Sequence, residues 1–258
     1  MFMRRIADAL RRQEWTTILI EFVLVIVGVL VALQLDQWKD ALAENAEEKR
    51  LLTAVRDDVQ QDILDLENTK LALDSVADFG TTALAFLEQG DCADACWPTL
   101  VAFFHASQWM DVQLNKATYE EVRRAGLPRD LSLRNALAQY YALNEQSVRV
   151  FAELPRYREL VRSIIPAAIQ THLWAACFRI DGRHQYLLAD CESVENENEV
   201  REVLTNLREN AEVEMSLNYW LSTVAVVKST LEDQISRANS VIGDISEFVS
   251  GRNQTEEE

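Results

Sequence analysis

The only apolar run long enough to cross a membrane covers residues 15–35, and it constrains the fold more than any other feature of the chain. Its single charged residue is Glu21, and about 20 helical residues span the ~30 Å of hydrocarbon in a bilayer. A signal peptide has a shorter apolar core with a cleavage site close behind it, whereas the triplet Ala41-Leu42-Ala43 lies well past the end of this run. The sequence therefore predicts a retained transmembrane helix over residues 15–36.

The charges that flank this run predict its orientation. Lys39 is the only basic residue just after the run, whereas four arginines precede it: Arg4, Arg5, Arg11 and Arg12. Because cytoplasmic flanks carry an excess of Lys and Arg, we expect residues 1–14 to be cytoplasmic and the bulk of the chain to be periplasmic. Trp15 and Trp38 flank the run, and Trp side chains favour the membrane interface. The predicted localisation is the bacterial inner membrane.

One face of the predicted membrane helix carries Glu21, Gly28 and Ala32, which lie within about 20° of one line at about 100° per residue. A carboxylate within a membrane span is costly and usually functional. Gly28 and Ala32 form a small-xxx-small pair, which permits close approach of a second helix. We interpret this face as a docking surface for another membrane helix. The alternative is that Glu21 reaches lipid headgroups at the inner interface and that the glycine is incidental.

Composition and patterning predict an all-α fold for the rest of the chain. The 7 Gly and 4 Pro are few for 258 residues, and 48% of the residues are hydrophobic, enough for a core. We expect the transmembrane helix to continue into an extended periplasmic helical bundle over residues 37–250, followed by a disordered tail over 251–258. The net charge of −17 argues against binding of nucleic acid by the overall field.

Apolar residues recur at steps of three and four through residues 36–79, which indicates an amphipathic helix. A break is expected near Asp74-Ser75, and the helical pattern ends at Gly90, a residue typical of C-caps. Further along, the sequence predicts a helix that begins near Pro98, a short helix over 116–124 that ends at Gly126, and a helix over 131–154. A new helix is expected to begin at Pro155 and to be kinked at Pro166. The last helix is expected over 197–249, with its end at Gly251.

The segment between Cys177 and Cys191 differs from the helical pattern around it. Two short apolar stretches flank Asp181-Gly182, a dipeptide typical of tight hairpin turns. We therefore expect a small β-ribbon tied at its base by a disulfide.

The chain has four cysteines, all on the outer side of the predicted membrane helix: Cys92, Cys96, Cys177 and Cys191. An even number in an oxidising compartment favours disulfides, and of the three possible pairings the simplest is the one with two local bonds, Cys92–Cys96 and Cys177–Cys191. The alternative is a zinc site, for which the spacing of the first two cysteines is not diagnostic. Such a site would combine the thiolates with one of the three histidines, His105, His172 or His184.

Two stretches of the sequence resemble a bacterial family of uncharacterised single-pass membrane proteins. One is the end of the span, from Gly28 to Trp38, and the other comprises Thr118 to Gly126 with Leu133 to Leu137 and the pair Tyr140-Tyr141. The resemblance covers roughly residues 15–145. It implies one N-terminal span and a helical outer domain, with Glu21 as the counterpart of a Glu that commonly opens the span in that family, and it implies no activity.

No motif in the sequence indicates catalysis or a cofactor. We find no Gly-rich phosphate loop, no Gly-x-Ser-x-Gly elbow and no His-Glu-x-x-His. His105 is interpreted as a packed histidine, and Tyr140-Tyr141 and Tyr219-Trp220 as residues of the core and its rim.

The leading hypothesis is a non-enzymatic, membrane-anchored interaction protein, an accessory or scaffold subunit that docks to a larger membrane assembly. Its partner would be a membrane protein or further copies of this chain. Two alternatives are a periplasmic ligand-sensing bundle that acts through a partner and an unrecognised periplasmic enzyme. A bundle pocket with convergent polar groups would favour the sensor, and a lateral apolar patch would favour the accessory subunit.

Overall fold

The computed structural model describes residues 15–92, 96–110, 114–151, 154–182 and 184–254. Within these residues the chain forms eight helices and one two-stranded sheet, which confirms the all-α prediction. In chain order the elements are α1 (Trp15–Gln89), α2 (Cys96–Ala106), α3 (Ala117–Arg124), α4 (Leu131–Phe151), α5 (Arg156–Ile164), α6 (Ala167–Ala176), β1 (Phe178–Asp181), β2 (His184–Leu187), α7 (Glu197–Glu209) and α8 (Ala211–Gln254).

The chain divides into two units, Met1–Leu51 and Leu52–Glu258. In the first unit the described residues belong to α1, and the large apolar side chains between Leu19 and Leu35 are exposed. An 18-residue window of this helix has a mean hydropathy of 2.8 and no buried residue. By length and composition the helix can cross a membrane, properties that a signal sequence shares.

In the second unit α1 carries a stripe of buried residues at alternating steps of three and four. We call this stripe the α1 seam; it consists of Leu52, Val55, Val59, Asp62, Leu66, Leu73, Val76, Ala83 and Leu87, with Thr69 and Gly80 at the two remaining positions of the repeat. Such spacing keeps one face of a helix against its neighbours over many turns.

The break predicted near Asp74-Ser75 is wrong, because α1 passes through both residues without interruption. Neither residue lacks a backbone donor, and both side chains have partners that are compatible with a helix. Ser75 Oγ donates to the Leu71 carbonyl at 3.2 Å, and the Asp74 carboxylate pairs with Lys228. The predicted end of this helix is confirmed, since Gly90 has a φ of 75° and its N–H donates to the Phe86 carbonyl at 2.7 Å.

The helix boundaries marked by proline and glycine largely follow the predictions. Pro98 lies in the first turn of α2, where its missing N–H has no consequence, and Gly126 has a φ of 73° two residues after α3. Pro155 immediately precedes α5. The kink predicted at Pro166 is wrong, because the helix is interrupted there and Pro166 separates α5 from α6. The residue before a proline is disfavoured in the helical region, and Ile165 accordingly has a ψ of 123°.

The β-ribbon is confirmed where it was predicted. β1 and β2 pair antiparallel, with Phe178 opposite Leu187 and Asp181 opposite His184. Gly182 has a φ of 61°, which a two-residue hairpin turn requires and which glycine adopts without strain. The Leu188 N–H donates to the Cys177 carbonyl at 2.9 Å and continues the pairing toward the base of the ribbon.

The last helix was predicted as one element, which is wrong because Asn210 divides it into α7 and α8. Asn210 is extended, with ψ of 95°, and its side-chain oxygen accepts the N–H of Glu212 at 3.1 Å. Asparagine is favoured at such a position because its side chain satisfies a donor at the start of a helix. α8 then continues to Gln254, beyond Gly251. Residues 255–258 of the predicted tail lie outside the described residues.

α8 carries a second stripe with the same repeat, which we call the α8 seam. Its buried residues are Val213, Leu217, Trp220, Val224, Val227, Leu231, Gln234, Ala238, Val241 and Ile245. α4 and α5 contact α8, and Gly80 of α1 lies so close to Leu221 that an added Cβ would clash with it. The core of the second unit thus lies between the two seams and the shorter helices, and each seam contains one buried polar residue near its middle, Asp62 or Gln234.

Candidate functional site

The three residues of the predicted docking face lie on one exposed side of α1. Glu21, Gly28 and Ala32 are all exposed, and a Cβ added at Gly28 would meet no atom within 4 Å. Trp15 and Trp38 are exposed at the two ends of the apolar segment, roughly 35 Å apart along a helix with 1.5 Å rise per residue. The docking face stays a prediction. The flanking residues Arg4, Arg5, Arg11 and Arg12 lie outside the described residues.

Both local disulfides are present. Cys92 is bonded to Cys96 and Cys177 to Cys191, with Cα–Cα distances of 4.9 and 5.1 Å. The zinc alternative requires free thiolates, which these bonds consume. The second bond closes the base of the ribbon, and Trp97 Nε1 donates to the Cys191 carbonyl at 3.3 Å, which joins this base to α2.

His105 is a packed histidine, as its sequence context predicted. The ring is fully buried, lies 4.9 Å from the Phe79 ring and has Nε2 3.2 Å from the Leu188 carbonyl. Burial lowers the pKa of His105 to about 4, so the ring is neutral at physiological pH. His105 therefore holds the ribbon against α2 and offers no protonated group at neutral pH.

Two half-buried arginines, Arg158 and Arg162, lie one turn apart on α5 and face the end of α2. Arg158 donates to the Ser107 carbonyl at 2.8 Å, and Arg162 donates to the Ser107 hydroxyl at 2.9 Å and to the Phe104 carbonyl at 3.3 Å. Burial, together with the charge of Arg158, lowers the pKa of Arg162 to about 9. Because the last carbonyls of a helix lack intrahelical donors, these side chains cap α2.

A surface groove of about 370 Å³ lies between α1 and α8, lined by Glu67, Lys70, Leu71, Asp74, Glu232 and Ile235. Three of its four charged side chains already have partners, since Lys70 pairs with Glu232 at 2.8 Å and Asp74 pairs with Lys228. The groove therefore offers little unsatisfied chemistry to a ligand.

The buried polar residues of the two seams meet at α4. Asp62 accepts the Tyr140 hydroxyl at 3.1 Å and the backbone N–H of Asn115 at 3.1 Å, while Gln234 donates to the Tyr140 carbonyl at 3.2 Å. Burial raises the pKa of Asp62 to about 6, although these two hydrogen bonds favour the ionised form and oppose the shift. One hydrogen-bonded layer thus connects α1, α4 and α8.

This layer continues toward the surface through Asp58, one turn before Asp62 on α1. Asp58 is half-buried, and its Oδ1 accepts the side-chain amide of Asn115 at 3.2 Å. Tyr141 is buried and stacks on Tyr119 with ring centroids 4.1 Å apart. We call the set of polar residues on α1, α4 and α8 the oxygen cluster; it consists of Asp58, Asp62, Tyr141, Asn144 and Gln234.

The sequence prediction did not include the oxygen cluster. Tyr140 and Tyr141 were correctly interpreted as core residues, but their polar neighbours lie on helices far away in sequence. A signal was available, since Asp62 and Gln234 occupy positions of the three-and-four repeat that are apolar apart from Thr69. A polar residue at such a position is buried and needs a partner.

The sequence prediction also did not include a lateral apolar stripe on α8. Trp220 is buried, as predicted, and donates to the Ala106 carbonyl at 2.8 Å, whereas its neighbour Tyr219 is 77% exposed. Met215 and Val226, on the same side of the helix as Tyr219, are 65% and 64% exposed. We call Met215, Tyr219 and Val226 the α8 stripe.

Comparison with known proteins adds no assignment: no family model matches the chain, and neither a curated protein nor a solved structure has significant similarity to it.

Proposed function

We propose that this chain is a non-enzymatic, membrane-anchored interaction protein, an accessory or scaffold subunit of a larger membrane assembly. The observation that carries the proposal is the α8 stripe, because it is a lateral apolar surface on the outside of the helical unit.

The stripe has the geometry of a helix-docking surface. Steps of four and seven residues place Met215, Tyr219 and Val226 within about 40° of one another and roughly 120° from the middle of the α8 seam. The three side chains cover about 16 Å of helix at 1.5 Å per residue. Single exposed apolar residues are ordinary, but an aligned set that includes Met and Tyr has the composition of an interface centre.

The membrane segment supports the same function. The exposed face formed by Glu21, Gly28 and Ala32 offers a carboxylate and a close-packing surface to a second membrane helix. The two disulfides favour an oxidising compartment for the second unit. We place the chain in a bacterial inner membrane with a cytoplasmic N-terminus, since arginines precede the span.

The test is co-purification with matched variants. The full chain with a C-terminal tag is extracted from native membranes in mild detergent, and the abundance of each co-purifying membrane protein is measured by quantitative mass spectrometry. The double variant Met215→Gln, Tyr219→Ser removes the centre of the stripe. The control is Leu131→Gln, which replaces another exposed apolar side chain, on α4.

We expect one membrane protein at a constant ratio to the wild-type chain, lost from the double variant and retained by the control. The proposal is contradicted if no protein co-purifies at a constant ratio, or if the control loses the partner as completely as the double variant does.

A further inference from the structure

The oxygen cluster contains four polar atoms for which the described part of the chain supplies no hydrogen-bond partner. They are Asp58 Oδ2, Tyr141 Oη, Asn144 Oδ1 and Gln234 Oε1. Three of these side chains are almost fully enclosed, since Tyr141 is 3%, Asn144 2% and Gln234 1% exposed. Buried polar atoms in folded proteins nearly always have a partner, so these four atoms require either ordered water or a bound ligand.

The unpartnered atoms define what that molecule must offer. A carboxylate and two amide oxygens can only accept hydrogen bonds, and only the Tyr141 hydroxyl can also donate. The protein donors nearby are already used, because the Asn115 N–H and the Tyr140 hydroxyl both donate to Asp62. The cluster therefore has surplus acceptors and requires a group with several N–H or O–H donors.

The charge of the cluster requires a cation. Asp58 and Asp62 lie one turn apart, and among the described residues neither carboxylate has a Lys, Arg or His nitrogen within ion-pair distance. The nearby Lys116 Nζ is bound to Glu145 at 2.9 Å. Both carboxylates raise the pKa of Tyr141, after burial as the main cause, which places the unpartnered hydroxyl within their field.

The donor set suits an organic ammonium group better than a divalent metal. The described residues contain no group of three His, Cys, Asp or Glu side chains placed to hold a metal ion. The cluster instead offers neutral oxygens from Tyr141, Asn144 and Gln234 beside the Asp58 carboxylate, and such oxygens can accept the N–H groups of an organic cation. A primary ammonium has three N–H donors for the oxygens and one charge for Asp58.

We propose that the oxygen cluster binds the primary ammonium group of a small organic cation. The ligand enters at the half-buried Asp58 and the exposed Asn115, with Asp58 as its counter-ion. The oxygens of Tyr141, Asn144 and Gln234 accept its N–H groups. This site goes beyond the proposed interaction function and does not depend on the α8 stripe.

The experiment is a binding titration of the full chain in detergent micelles at pH 7.5 and constant ionic strength. The probe is 1,4-diaminobutane, its neutral counterpart is 1,4-butanediol, and sodium and potassium chloride test inorganic cations. Calorimetry measures the affinity, and the thermal midpoint of unfolding is recorded for each protein. The variants are Asp58→Asn and Asn144→Leu, and the control is Asp57→Asn, which makes the same charge change on the solvent side of α1.

We expect saturable binding of the diamine, no binding of the diol, and a loss of affinity of about tenfold or more in Asp58→Asn with Asp57→Asn unchanged. If Asn144→Leu does not fold, the affinity of Asp58→Asn for the diamine alone tests the proposal, since Asp58 is only half-buried. The proposal is overturned if the diamine does not bind saturably, because the four oxygens are then hydrogen-bonded to water. It is equally overturned if the diol or the alkali ions bind as well as the diamine. It is also overturned if Asp57→Asn weakens binding as much as Asp58→Asn, because the attraction is then that of the net charge.

Discussion

The two ends of α1 use apolar residues in opposite ways. Between residues 19 and 35 the large apolar side chains surround the helix and are exposed, whereas between residues 52 and 87 most of them lie on one buried stripe and only Leu64 and Leu71 are exposed. The one carboxylate of the first segment, Glu21, is exposed, whereas one of the seven in the second, Asp62, is hydrogen-bonded in the core. Both segments belong to one continuous helix, so the surroundings determine the pattern: lipid tolerates apolar residues on every side, while a protein core requires them on one side only.

The largest effect is expected from shortening a seam residue. Leu66 is 1% exposed and Leu64, two residues earlier, is 52% exposed. Leu66→Ala should lower the free energy of unfolding of the second unit by about 2–5 kcal/mol, because it leaves a cavity in the core. Leu64→Ala should lower it by less than about 0.5 kcal/mol. Urea unfolding followed by circular dichroism measures both, and equal losses would show that the α1 seam is not the core.

Unlike the two segments of α1, the β-ribbon has strands that are mostly exposed and bury little apolar surface. The Cys177–Cys191 bond closes a loop of sequence separation 14. Replacing both cysteines by serine should cost about 3 kcal/mol, since the bond restricts the unfolded chain. The same unfolding assay in the absence of reductant tests this, with the Cys92→Ser, Cys96→Ser protein as the comparison for a shorter loop. A cost below about 0.5 kcal/mol would contradict it.

The buried carboxylate of Asp62 should make stability depend on pH. Its pKa is about 6 in the fold, against an ordinary value of 3.8 for an aspartate side chain, so between these pH values the folded state binds more protons than the unfolded state. The contribution of this group to the free energy of unfolding therefore falls as the pH rises from 4 to 6, and it stays lower above pH 6. Asp62→Asn removes this dependence, and its single side-chain oxygen can still accept the Asn115 N–H while its NH2 group donates to the Tyr140 hydroxyl oxygen.

We compare the free energy of unfolding of Asp62→Asn with that of wild type at pH 4.5 and at pH 7.5. The difference should shift by about 1–2 kcal/mol in favour of Asp62→Asn at the higher pH. Urea unfolding at both pH values measures the gain. Asp57→Asn serves as the control for a lost surface carboxylate, and a pH-independent difference between Asp62→Asn and wild type would contradict the burial of an ionisable group at this position.

The smallest effect on stability is expected at Glu21. Glu21→Leu should change the unfolding of the second unit by less than about 0.5 kcal/mol, because the residue contributes nothing to that core. It should nevertheless reduce the size of the complex extracted from membranes, since the polar contact of the docking face is lost. Size-exclusion chromatography in mild detergent measures this. Val23→Leu, on another face of the helix, should leave the complex unchanged. An unaltered complex in Glu21→Leu would end the docking hypothesis.

Local chemistry in the sequence predicted much of the fold. Gly90, Gly126 and Pro155 mark helix ends, Asp181-Gly182 marks the turn, and the cysteines pair with their nearest neighbours. The errors at Asn210 and Pro166 arose where apolar periodicity continued across a residue that stops one helix and starts another.

The candidate sites were harder to predict, because they depend on contacts between distant parts of the chain. Asp62, Tyr140 and Gln234 are separated by 78 and 94 residues and meet only when α1, α4 and α8 pack together. The α8 stripe was hidden for a related reason: Tyr219 and Trp220 are adjacent in sequence, and only packing separates the exposed ring from the buried one.

The most direct test of the interaction function is native mass spectrometry of the wild-type chain released from native membranes. Its mass gives the length of the mature chain and the identity of whatever remains bound to it. The account predicts a chain that retains residues 15–36, bound to another membrane protein at a fixed ratio. A mature chain that begins beyond residue 43, or a full-length chain found only alone or with copies of itself, would contradict it.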